Sequence, residues 1–162
     1  GMGFVEETGA AQYARDVRVT TIYEGTNGIQ AMDLTARKMS DGGTAAFALI
    51  DEVQSAAEAA RAVHPDLAHD VWTAAEALRE ATETLLRQDL TDRFAGAVPY
   101  LRAFALILGA DAHLRAAAAD SKRAALARIA IRRLLPDHIA LLAQAREGAS
   151  DLYALSSEDL AA

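Results

Sequence analysis

Thr44-Ala45-Ala46-Phe47-Ala48-Leu49-Ile50-Asp51-Glu52-Val53-Gln54-Ser55-Ala56-Ala57-Glu58-Ala59-Ala60 decides the fold class. From Ala46, the apolar residues Ala46, Leu49, Ile50, Val53, Ala57 and Ala60 recur at spacings of three and four, which places them on one buried face of a helix. Asp51, Glu52, Glu58 and Arg61 fall off that stripe. Downstream, His64-Pro65-Asp66 ends this helix and opens the next, because proline suits a first helical turn and aspartate complements the positive end of the dipole. Leu67, Val71, Ala75, Leu78, Thr82 and Leu85 continue the pattern.

Thr91-Asp92 predicts the start of a third helix with Phe94, Val98, Leu101, Ala105 and Leu108 facing inward, and Pro99 in its first turn or at a kink. Asp120-Ser121 predicts the cap of a fourth, with Leu126, Ile129, Leu134 and Ile139 as core residues, a bend at Pro136 and a stop at Gly148. Leu152 to Leu160 forms a short tail. The expected fold is all-α: an up-and-down four-helix bundle over about residues 44–148, preceded by a short helical segment.

Upstream of the break at Asp41-Gly42-Gly43-Thr44, the character differs. Residues 6–16 read as helix despite Gly9. Residues 17–23 are β-branched enough for an extended connection, and Thr26 is placed to cap a helix through about Met39.

A chain of 162 residues holds one domain, or one domain and a short piece of another. Its net charge of -7 argues against a nucleic-acid partner, since phosphate binding needs a basic surface. With no cysteine there is no disulfide framework, which fits a reducing cytoplasm. No apolar run reaches the ~18 residues of a membrane span, and the amino terminus lacks the order of a signal peptide. His64, Asp66, His69 and Asp70 invite a metal reading, but a helix amino terminus explains them better and no metal is expected. His113 and His138 read as surface or packed residues, and Lys122, Arg123, Arg128, Arg132 and Arg133 as a solvated basic face.

The most specific stretch is Gly1-Met2-Gly3-Phe4-Val5-Glu6-Glu7, then Tyr13-Ala14-Arg15-Asp16, then Ile22-Tyr23-Glu24-Gly25-Thr26-Asn27-Gly28-Ile29-Gln30. In this order it resembles the end of the acyl-CoA dehydrogenase catalytic region. Leu134-Leu135-Pro136 and Ala154-Leu155-Ser156-Ser157-Glu158-Asp159-Leu160 resemble the extra helical extension of that family's longer members. The resemblance divides the chain into residues 1–40, the end of the catalytic helical domain, and 44–162, the extension.

The resemblance implies FAD as cofactor and oxidation of an acyl-CoA thioester to its trans-2-enoyl form. Glu24 matches the glutamate that takes the α-proton, a role suited to a carboxylate whose pKa rises as substrate excludes water. Gly25, Thr26 and Asn27 match residues beside the flavin. Tyr23, Glu24 and Gly25 match the acyl pocket, and Gly1 and Gly3 a glycine-rich turn at the adenosine end, although Gly1 is open to reading as a cloning remnant before Met2.

The family's amino-terminal helical domain and middle β domain have no counterpart here, so the chain alone is expected to hold no flavin and to be inactive. It reads as a carboxy-terminal fragment, produced by cloning, by a truncated gene or by a start assigned at Met2. The other reading is a non-catalytic helical bundle for oligomerisation or partner binding. Self-association, or pairing with the dehydrogenase domains it lacks, is expected of either.

Overall fold

A computed structural model describes residues 5–18, 20 and 27–161. The chain divides into two compact units, residues 1–30 and 31–162. Among the described residues there is no strand.

In the first unit a 3-10 turn over Glu6–Thr8 ends at Gly9, whose φ of 75° is open to glycine at little cost. Helix α1 follows over Ala10–Arg18. Val17 and Arg18 are therefore helical rather than the start of an extended segment: the helix outlasts the local β-branched propensity. Arg15 pairs with Glu6 at 2.7 Å on the exposed side.

Helix α2 spans Asn27–Thr35 and stops four residues short of the expected Met39. A separate 3-10 turn, Arg37–Met39, follows it. Gly42 and Gly43 both have positive φ, and Asp41 accepts hydrogen bonds from the backbone N–H groups of Gly43 (2.9 Å) and Ala45 (3.1 Å). That carboxylate satisfies donors left over at the start of α3, Thr44–Ala60.

The bundle proper is α3, α4 (Pro65–Arg87), α6 (Ala97–Ala119) and an irregular rod made of α7 (Ala124–Ile129) and α8 (His138–Arg146). α4 and α6 pack on each other, and both touch α3 and α8, which stand at opposite corners. Pro65 opens α4 as expected, where its missing N–H has no partner to lose. Leu67, Val71, Ala75, Leu78, Thr82 and Leu85 are all buried. Each large apolar side chain among them contributes about 1.5–3 kcal/mol of transfer free energy.

Much of the remaining core is alanine: Ala57 and Ala60 on α3, Ala68, Ala74 and Ala81 on α4, Ala103, Ala110 and Ala117 on α6, and Ala127 and Ala145 on the rod. Small side chains let helix axes approach closely. At the α4–α6 contact the Tyr100 hydroxyl lies 2.7 Å from Thr82 Oγ1, and Thr82 donates in turn to the Leu78 carbonyl at 2.7 Å. Burial holds the Tyr100 phenol well above its ordinary pKa, with the Thr82 hydrogen bond opposing.

The third helix differs from its prediction in two respects. It is broken at Gly96 into α5 (Leu90–Ala95) and α6, and its cap is Asp89, which accepts from Asp92 N–H. A Cβ at Gly96 would lie 2.1 Å from the carbonyl oxygen of Ala145 on α8, so glycine is demanded by close approach rather than by dihedral angle.

The larger apolar side chains it buries are Tyr100, Phe104, Ile107 and Leu114. The expected stripe is not the core, since Val98 and Ala105 are exposed and Phe94, Leu101 and Leu108 only half-buried. α6 is nearly as apolar on its outer face as on its inner one, so periodicity could not choose between them. Gly109 lies on the exposed side of α6, where an added Cβ meets nothing within 4 Å. Gly109→Ala is accordingly expected to raise stability by about 0.5–1 kcal/mol, read as a higher urea midpoint at unchanged slope.

The fourth helix corrects the expectation further. Asp120 caps a 3-10 turn at Ser121–Arg123 through Lys122 N–H, as its position suggested, and Gly148 ends the rod at φ 81°. Leu126, Ile129, Leu134 and Ile139, however, are exposed, and the core residues include Ala127, Ala130, Ile131, Leu135, Leu141, Leu142 and Ala145. Between α7 and α8 the chain makes a π turn over Ala130–Leu134 and a 3-10 turn over Leu135–Asp137, which carries Pro136. Where a bend at Pro136 was expected, the chain thus makes two irregular turns, and the wide turn shifts the helical register. A short helix, α9 (Ser150–Ala154), begins two residues before the expected tail and runs into it.

Candidate functional site

Of the residues assigned by resemblance, Gly1, Gly3, Tyr23, Glu24, Gly25 and Thr26 lie outside the described residues, as does the expected Thr26 cap. Asn27 is described: it is the first residue of α2 and is exposed.

From Ala31, α2 and its following turn are held in place by local bonds. The Thr35 hydroxyl donates to the Ala31 carbonyl at 3.2 Å, and Arg37 grips Asp33 through Nε (2.6 Å) and Nη2 (2.7 Å). That hydrogen bond holds the Asp33 carboxyl below its ordinary pKa and the Arg37 guanidinium above its own.

Within the second unit, Leu34, Met39, Ala46, Leu49, Leu101, Ala105 and Leu108 line an apolar groove of about 400 Å³, with Lys38 its one charged lining residue. Leu49, Leu101, Ala105 and Leu108 were expected in the core. Their helical spacing marked a real apolar face, but one that lines a groove.

A second recess of about 260 Å³, lined in part by Ile131, Leu135 and Pro136, brings together His69, Asp70, Thr73, Arg132 and His138 beside the π turn. Arg132 pairs with Asp70 at 3.1 Å, and His138 Nδ1 lies 2.6 Å from the Leu135 carbonyl. His64 Nε2 is 3.2 Å from the Ala117 carbonyl. These contacts account for His64 and Asp70 as packing groups, and no three His, Asp or Glu side chains converge on a point among the described residues.

Asp111 on α6 is the buried carboxylate that sequence reasoning did not single out. Its Oδ2 accepts from Arg115 Nε at 2.7 Å, while its Oδ1 is buried with no partner. Arg115 Nη2 also donates to the Glu52 carbonyl at 3.1 Å, tying α6 to α3. Burial raises the Asp111 pKa, with Arg115 opposing and Glu52 adding to the rise.

The folded state therefore holds this proton more tightly than the unfolded chain. Its stabilising effect is full below the ordinary value of 3.8 and is lost as pH rises through the folded value. Asp111→Asn keeps an acceptor for Arg115. Relative to the parent chain it is expected to be more stable at neutral pH than at pH near 3, as urea titrations at both would show.

No helix among the described residues is long and apolar enough to cross a membrane. A family model described as acetyl-CoA dehydrogenase C-terminal like matches residues 49–156. A second, described as acyl-CoA dehydrogenase, C-terminal domain, matches residues 1–39. The chain is 42% identical over 108 residues to a 3-methylmercaptopropionyl-CoA dehydrogenase of Ruegeria pomeroyi, a match that covers 62% of this chain and 18% of that protein. It is 50% identical over 40 residues to a butyryl-CoA dehydrogenase of Syntrophomonas wolfei, covering 25% of this chain and 7% of the relative. The matched regions are thus less than a fifth of the length of these relatives. With both of its segments matched in order, the chain belongs to the acyl-CoA dehydrogenase family and represents that family's carboxy-terminal part.

Proposed function

We propose that the chain supplies the catalytic-glutamate segment and the helical extension of an FAD-dependent acyl-CoA dehydrogenase. In this reading residues 1–40 end the catalytic domain and 44–162 form the extension. The observation that carries it is the two consecutive family matches, 1–39 and 49–156, the first of which includes Glu24.

Glu24 takes the α-proton of the acyl thioester. A carboxylate does this best after bound substrate has expelled water and raised its pKa toward that of a useful base. Its backbone N–H supports the thioester oxygen as charge develops there. Tyr23 and Gly25 line the acyl pocket. Gly25, Thr26 and Asn27 would lie beside a bound flavin, which would supply the acceptor for the β-hydride. Gly25 and Thr26 let backbone approach the ring closely, Gly1 and Gly3 face the adenosine end, and Asn27, exposed at the head of α2, is open to a group outside the chain.

The chain acts only when joined to the domains that its relatives carry in the rest of their length, in the reducing cytoplasm. Alone it neither retains flavin nor turns over, because in this reading those other domains supply the walls that keep water from the reacting carboxylate. A second reading, a non-catalytic bundle, draws support from residues 31–162 having a core of their own.

The test is to add excess FAD and an acyl-CoA series to the purified chain, with Glu24→Gln as control. No flavin retained is the expected result. Flavin that bleaches only with Glu24 intact would keep the catalytic assignment and remove the claim of inactivity. A complete enzyme containing this segment that works equally well with Glu24→Gln would remove the catalytic assignment and leave the bundle reading.

A further inference from the structure

Outside the core, two surfaces of opposite charge keep large apolar side chains in solvent. The first runs along α7 and the π turn. The Leu135 N–H bonds the Ala130 carbonyl, five residues back, so Ile129 and Leu134 return to one outer row with Leu126 while Ala130 and Leu135 face the core. Residues 121–136 contain no acidic residue. Lys122, Arg123, Arg128 and Arg133 flank this row and form no ion pair among the described residues, whereas Arg132 is taken by Asp70.

The second surface is the segment from Ser150 onward. It carries Asp151, Glu158 and Asp159, no lysine or arginine, and the apolar side chains Leu152, Tyr153, Leu155 and Leu160. Across both surfaces, Leu126, Ile129, Leu134 and these four are 47–77% exposed. The tail carboxylates have no cation partner among the described residues either; Asp159 is bonded only to the backbone and hydroxyl of Ser156.

Both surfaces thus expose apolar side chains, and each carries the charge sign that the other lacks. They do not meet within one chain. Ala149 N–H is fixed to Asp92 Oδ1 at 2.9 Å, which holds the root of the tail at the α5 end of the bundle. From there back to Leu126 the rod is roughly 30 Å long at helical rise. The five residues of α9 advance only about 7 Å, and residues 157–160 form a turn.

We propose that the acidic tail of one copy, residues 150–161, docks along the basic apolar row Leu126–Leu134 of a second copy, and that the exchange is reciprocal. Two-fold symmetry doubles every contact, so a short segment suffices. The inference goes beyond the dehydrogenase reading and needs neither Glu24 nor flavin.

Carbodiimide joins a lysine to a carboxylate with no spacer, and Lys122 is one of only two lysines in the chain. In an equal mixture of unlabelled and ¹⁵N-labelled full-length chain, the expected product is a mixed-isotope Lys122–Glu158 or Lys122–Asp159 peptide. Sedimentation should show a salt-sensitive dimer. Glu158→Lys with Asp159→Lys in one chain, and Arg128→Glu with Arg133→Glu in another, change only exposed positions. Each variant alone is expected to weaken association at least ~10-fold, and their mixture to restore it, because the swapped charges again match.

A parent chain that stays monomeric at about 100 μM overturns the proposal, since its association would then be too weak to matter. Single-isotope cross-links alone, or a mixture of variants that fails to reassociate, overturn it equally.

Discussion

Gly96→Ala is expected to destabilise the bundle by about 3 kcal/mol or more, at the upper end of what overpacking does. The reason is the atom that the new methyl would meet. At 2.1 Å from the Ala145 carbonyl oxygen, with the Ala145 carbonyl carbon at 2.9 Å, it collides with backbone. A rotamer change cannot relieve that, and Ala145→Gly would not either, because the obstructing atoms belong to every residue type. Relief requires α8 to move away from the α5–α6 joint, which opens the contacts of Leu142 and Ala145, both fully buried. The dihedrals of Gly96, φ -86° and ψ -3°, suit any residue, so backbone strain plays no part. Chemical denaturation followed by helical circular dichroism checks the size of the loss. A variant as stable as the parent chain would mean that the joint is not this close.

The second large effect is asymmetric. In the Tyr100–Thr82–Leu78 chain of hydrogen bonds, Thr82 donates to the Leu78 carbonyl and therefore accepts from the Tyr100 hydroxyl. Thr82→Val removes that acceptor and leaves a fully buried phenol with an unpaired donor, for a cost of about 1–3 kcal/mol. Tyr100→Phe takes away the donor and leaves Thr82 still bonded to Leu78, so the loss is about 0.5–1.5 kcal/mol. With both changes made, no polar atom is stranded, and the double variant should be more stable than the sum of the singles implies. Equal losses for the two single variants, or strict additivity, would show that the hydroxyls do not act as a pair.

What could be read in the sequence followed the contrast between helix faces. α4 alternates apolar residues with Glu76, Arg79, Glu80 and Glu83, and each of its assigned core positions is buried. α6 offers no such contrast. The residues chosen for its core, Leu101, Ala105 and Leu108, are as apolar as the true ones, Tyr100, Phe104 and Ile107, and only packing on α3, α4 and α8 decides between them. On the rod, small Ala127 and Ala130 face inward while Leu126 and Ile129 face out, the reverse of what side-chain size suggests, and the π turn shifts the register after Ala130. The family was legible from the order and spacing of short motifs around Glu24, a signal that does not depend on the contrast between helix faces. The groove beneath Leu101 and Leu108 left no separate mark, because apolar residues at helical spacing line a core and a groove alike.

A core built so largely of alanine also sets how the bundle responds to heat. Alanine has no rotamers to freeze, so ordering Ala57, Ala74, Ala103 or Ala145 costs backbone entropy alone. It also exposes little hydrocarbon on unfolding compared with leucine, and hydrocarbon exposure is the source of the positive heat-capacity change. At a given midpoint and unfolding enthalpy, a smaller heat-capacity change flattens the curve of stability against temperature and widens the range over which the four helices hold together.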